Sequence, residues 1–106
     1  MSDTLQQILS LIRAGEIRIS EHGYDELAED GIPVKELVDG SADAVVIEDY
    51  PDFHKGPCVL VLQRTQTAGP VHVVWGIPKG QVSPAVLVTA YRPDSGRWTS
   101  DFMRRK

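Results

Sequence analysis

Apolar side chains recur at Leu5, Ile8, Leu9 and Ile12, the spacing of one stripe on an amphipathic helix. The pattern predicts a first helix from about Thr4 to Ala14. Asp3 or Thr4 caps it, each with a glutamine three residues on, and Gly15 stops it. Ile17-Arg18-Ile19 is extended but too short for more than one edge pairing. Ser20 then opens a second helix, Glu21 to Asp30, ended by Gly31. Ile19 and Tyr24 are placed for a hydrophobic staple, and Tyr24, Leu27 and Ala28 are expected to form the buried stripe. His22, Asp25, Glu26 and Glu29 then face water. Pro33 suits a first helical position, and Val34, Leu37 and Val38 make a third apolar stripe before Gly40.

From Ala44 the apolar period shortens. Ala44–Asp49, Pro57–Arg64, Val71–Ile77 and Val82–Tyr91 read as strands, and hairpin-sized connectors rich in Pro, Gly and Asp join them. Such short connections make consecutive strands antiparallel neighbours. Val71, Val73, Trp75 and Ile77 share one face, with His72 on the other. The last strand alternates Val86, Val88 and Ala90 against Leu87, Thr89 and Tyr91. Both of its faces are largely apolar, which places it at or near the centre. The expected architecture is α+β: N-terminal helices on one face of a four-stranded antiparallel meander, in a single domain 1–106 whose end, 99–106, is a frayed basic tail.

Composition changes this picture in one respect. The net charge is −4, but its distribution is uneven. Residues 1–53 carry three basic side chains against thirteen acidic ones, and residues 54–106 carry eight against two. Such a division either marks a basic binding face or reflects an acidic helical layer resting on a basic sheet. The single Cys58 forms no internal disulfide and, with neither a visible signal peptide nor a bilayer-length apolar run, suggests a cytoplasmic protein with no membrane partner.

His22, in the first turn of a helix, is a candidate general base or a solvated surface histidine; Asp25 and Glu26 stand close enough along the helix to orient it. His72 either lines a concave surface with Arg64 and Tyr91 or is a hydrogen-bonded core residue. Tyr91 and Arg92 end the last strand, where a guanidinium grips phosphate and a phenol passes a proton or stacks on a base. Alternatively, the tyrosine fills the core edge and the arginine pairs with Asp94. Arg97 and Trp98 suit a cation–π pair. No nucleotide-binding glycine loop is present, and His54 with Cys58 is too sparse a set for a metal. No cofactor is expected.

Ile19-Ser20-Glu21-His22, the helix end Gly31-Ile32-Pro33, and Leu87-Val88-Thr89-Ala90-Tyr91-Arg92-Pro93 with Trp98 resemble a small bacterial and phage domain family of unknown function. Its outline is I-S-x-H, a helix, G-I-S, a hairpin meander and a closing I-T-A-Y-x-P. The resemblance spans about residues 17–98. That family is similar in layout to the RelE and BrnT toxins of toxin–antitoxin pairs, several of which are ribonucleases. The resemblance implies metal-independent RNA cleavage: a base takes the ribose 2′-hydroxyl proton, a cation steadies the phosphorane and an acid protonates the leaving oxygen. On it, His22 matches the family histidine and Tyr91 the closing tyrosine. His72, Arg64 and Arg92 follow from strand position alone, and Arg97 is a further substrate-binding candidate. The implied partners are RNA and an antitoxin-like protein. The competing reading is a non-catalytic protein-interaction module on the same scaffold.

Overall fold

The computed structural model describes residues 2–106. Helix α1 spans Asp3–Arg13 and buries Leu5, Ile8 and Ile12. Its cap is Ser2, rather than Asp3 or Thr4: the Ser2 hydroxyl accepts from the Leu5 amide at 3.1 Å, leaving Asp3 free to complement the helix dipole in the first turn. Strand β1, Ile17–Ile19, leads into α2, Glu21–Asp30, and α3 covers Val34–Asp39. A turn of 3-10 helix, Ser41–Asp43, precedes strands β2 (Val45–Tyr50), β3 (Cys58–Thr65), β4 (Gly69–Gly76) and β5 (Ala85–Tyr91).

The sheet has five strands in the order β1-β5-β4-β3-β2, which corrects the expected four-stranded antiparallel meander. The meander is present, but β1 adds a parallel strand beside β5, pairing Ile17 with Ala85 and Ile19 with Leu87. The backbone shows the reason. An apolar β5 needs partners on both edges, and the Ser20 amide and Glu16 carbonyl extend the pairing at each end of β1. Thus β5 lies inside the sheet, as its composition predicts.

The three helices pack on one face, over a core that includes Ile8, Leu37, Val61, Val73, Trp75 and Leu87. Two features bind the layers closely. Gln63, almost fully buried, donates to the Leu37 carbonyl at 2.7 Å and accepts from the Trp75 indole at 2.9 Å, so both ends of its amide are satisfied. Gly23 lets α2 approach β5: a Cβ there would stand 2.8 Å from the Leu87 carbonyl oxygen. This approach also corrects the expected stripe of α2. Gly23 and Leu27 are its buried positions, whereas Tyr24 is 61% exposed.

A bulge in β5 decides which side chains reach the other face. Thr89 pairs with Val74 and Leu87 with Trp75, leaving Val88 unpaired. The extra residue reverses the alternation, so Leu87 and Ala90 both enter the helix-side core. The simple alternation expected for this strand is therefore broken at Val88. Tyr91, which would otherwise share a face with Leu87, lies directly opposite His72 on the face away from the helices.

Candidate functional site

Beyond β5 the chain turns at Asp94, whose carboxylate accepts from the Gly96 amide at 2.8 Å, an Asx turn of the kind this sequence favours. The chain then folds back. Trp98 pairs with Arg105 across an antiparallel bridge, and the amides of Thr99 and Lys106 donate to the carbonyls of Arg104 and Arg97. Residues 99–106, expected from sequence to fray, here form this return. Trp98 is buried, its ring edge-on to the His72 imidazole at 4.4 Å.

His72 is fully buried and uses both ring nitrogens. Nε2 lies 2.8 Å from the Phe102 carbonyl oxygen and Nδ1 3.2 Å from the Tyr91 hydroxyl. A carbonyl only accepts, so Nε2 carries the proton. Nδ1 of the neutral ring is then an acceptor, and the Tyr91 hydroxyl donates to it. Burial lowers the imidazole's pKa from its ordinary 6.5; the Phe102 carbonyl opposes this, and the Arg105 charge adds to it. Burial likewise raises the Tyr91 phenol, with Arg105 pulling it back. The pair is thus neutral at neutral pH.

Tyr91, Arg92, Asp94, Arg97, Trp98, Arg105 and Lys106 enclose a cleft of about 770 Å³. Four of these side chains are cationic and one is acidic. The single acid does little to neutralise them: Arg97 Nε stands 3.9 Å from Asp94, with both side chains mostly exposed, a pairing worth little in water. The arginine pairing with Asp94 is therefore Arg97, and the cation over the Trp98 ring is Arg105, at 5.3 Å from the centroid. Arg92 donates its backbone amide to Asp30 at 3.1 Å, which seats it at the end of α2.

The structure therefore brings Tyr91, Arg92 and Arg97 together, with His72 immediately behind the tyrosine. It does not bring His22 or Arg64 to them. Asp30 touches Arg92, and His22 stands eight residues earlier on the same helix, roughly 12 Å along its axis. There His22 is exposed and lies 3.5 Å from Glu26. Arg64, opposite Pro70 near the end of β3, is exposed and does not line the cleft. Sequence reasoning missed Arg105 and Lys106 as site residues. Their one visible signal was the basic run Arg104-Arg105-Lys106 following a tryptophan. Elsewhere, Cys58 is half-buried and burial raises its thiol pKa, with Asp49 adding to the effect, as befits a packing residue rather than a nucleophile.

A mixed five-stranded sheet covered by helices on one face, with a cationic and aromatic cleft at the end of β5, defines a small α+β domain. The chain belongs to the family described as Domain of unknown function (DUF4258), whose model matches residues 19–92. The match contains His72, Tyr91 and Arg92, whereas Arg97, Trp98, Arg105 and Lys106 lie beyond it. Neither the curated proteins nor the solved structures contain a match to this chain. Among the described residues, no helix is long and apolar enough to cross a membrane.

Proposed function

We propose that the cleft at the end of β5 binds single-stranded RNA and that Tyr91, backed by His72, is the proton-handling group of a metal-independent ribonuclease. One observation carries the reading: Arg92, Arg97, Arg105 and Lys106 line the same cleft as a half-buried phenol hydrogen-bonded to a neutral imidazole. Cations gathered on one surface attract a polyanion despite the negative net charge. The half-buried Tyr91 ring beside them suits contact with an unpaired base. In this reading the arginines hold the scissile phosphate and stabilise the charge that builds on it. His22 and Arg64 take no direct part.

The test is incubation of the purified protein with labelled single-stranded RNA under chelator, beside Tyr91→Phe and a double Arg92→Ala/Arg97→Ala variant. Cleavage by wild type that falls at least about a hundredfold in Tyr91→Phe is the expected result. Absence of cleavage over a wide enzyme excess ends the catalytic part, and absence of salt-sensitive binding ends the RNA part.

The second reading, a non-catalytic interaction module, has its own observation. Strand β2 is an open sheet edge, and Val45, Tyr50 and Phe53 on and beside it are exposed, a setting for strand addition by a partner such as an antitoxin-like protein. Glu48 and Asp49 on the same strand, and the irregular pairing between Val46 and Glu48, are also the means by which edges resist indiscriminate pairing.

A further inference from the structure

We infer that Tyr91 reads the ribose 2′-hydroxyl, making the cleft selective for RNA over DNA, and that His72 sets this selectivity by fixing the direction of the Tyr91 hydrogen bond. The inference rests on the RNA-binding reading of the cleft and adds the feature of the ligand that is recognised.

The Phe102 carbonyl accepts from His72 Nε2 at 2.8 Å, and a carbonyl has no proton to offer in return. The neutral imidazole is therefore in its Nε2–H form, with a bare lone pair on Nδ1. That lone pair faces the Tyr91 hydroxyl at 3.2 Å and takes its proton. Because His72 is wholly enclosed, water does not compete for either nitrogen. The Tyr91 hydroxyl makes no other hydrogen bond among the described residues.

A phenol whose only proton points into the protein presents lone pairs to the cleft it lines. Such a group does not hydrogen-bond a phosphate oxygen, since both would be acceptors. It requires a donor. On a single strand held by its phosphates through Arg92, Arg97, Arg105 and Lys106, the sugar donor is the 2′-hydroxyl, which DNA lacks. The cations carry affinity without distinguishing the sugar, and Tyr91 carries the distinction.

Fluorescence anisotropy on the intact chain, with oligomer integrity checked on a gel, tests this with one short uridylate sequence in four sugar chemistries. These are ribose, deoxyribose, 2′-O-methyl and 2′-fluoro. Wild type is expected to bind the ribose form roughly two- to tenfold tighter than the other three, the size of a single hydrogen bond. In Tyr91→Phe, which keeps the ring packed against His72, the four affinities are expected to converge. The 2′-fluoro arm separates hydrogen bonding from sugar pucker, because fluorine keeps the RNA-like pucker but donates no proton. Equal binding of all four by wild type overturns the inference while leaving a nucleic-acid cleft in place. So does ribose-like binding of the 2′-fluoro strand, or a preference that survives in Tyr91→Phe. Failure to bind any of the four at low salt overturns the RNA-binding reading and this inference with it.

Discussion

His72 occupies a position that no exposed residue could fill. A buried imidazole needs a partner for each nitrogen, and the fold supplies one acceptor, the Phe102 carbonyl, and one donor, the Tyr91 hydroxyl. This has a consequence for acid stability. The native imidazole binds a proton less readily than the unfolded one, whose value is near 6.5. Above that pH both forms are neutral and this group leaves stability unchanged. As the pH falls through it, the unfolded chain gains a proton that the native state resists, so stability drops. Urea denaturation midpoints of wild type are therefore expected to fall between about pH 7.5 and about pH 5.5 more steeply than those of His72→Gln. Parallel curves would mean that His72 does not cause the loss. At this scale the sequence offered His72 as either a site lining or a core histidine, and the structure makes it a core residue one hydrogen bond from the cleft. The alternatives stayed open because strand periodicity places a side chain on a face but says nothing of what covers that face.

Among the elements, β5 and α2 position the site. The Val88 bulge turns Tyr91 to the face of His72, and α2 is held against β5 at Ser20 and Gly23. The Ser20 hydroxyl accepts from the Gly23 amide at 2.9 Å and donates to the Val88 carbonyl at 2.7 Å, joining the helix cap to the bulge itself. Gly23→Ala weighs two opposing effects. Alanine gains about 1 kcal/mol of helix propensity, but its methyl would meet the Leu87 carbonyl at 2.8 Å and force the layers apart, an overpacking cost of about 1–3 kcal/mol. The contact is with backbone, which moves only as a unit, so net destabilisation is expected. Thermal unfolding of Gly23→Ala should show a lower Tm than wild type; an unchanged or higher Tm would show that α2 shifts freely. The span and cap of α2 were legible from Ser20 and Gly31, both local features, and Gly31 does adopt the left-handed φ of 63° that ends a helix. The buried stripe of α2 was not legible. A glycine used for close approach looks like an absence of signal, so Tyr24 drew attention as the larger apolar side chain.

Across the whole molecule, the charge division of the sequence becomes a spatial one at the return of the C-terminal residues. Arg105 and Lys106 join Arg92 and Arg97 around one cleft, while acidic residues such as Asp25 and Glu29 lie exposed on α2. If these cations contact phosphates, each contributes about 0.7 to the slope of log K against log salt on a single strand. The double variant Arg97→Ala/Arg105→Ala is expected to lower that slope by roughly 1.4. Lys35→Ala, which removes a cation paired with Asp39 on α3, should leave it unchanged; equal slopes in all three proteins would show that Arg97 and Arg105 do not contact phosphate. The sequence by itself determined the helices, the meander and the interior place of β5, because caps, glycine stops and apolar periods act over a few neighbouring residues. Only the tertiary structure decided that β1 pairs with β5, that a bulge sends Tyr91 to His72, and that the last residues close a cleft rather than trail away. Each of those depends on groups far apart in the chain satisfying one another's hydrogen bonds, and no local pattern records that.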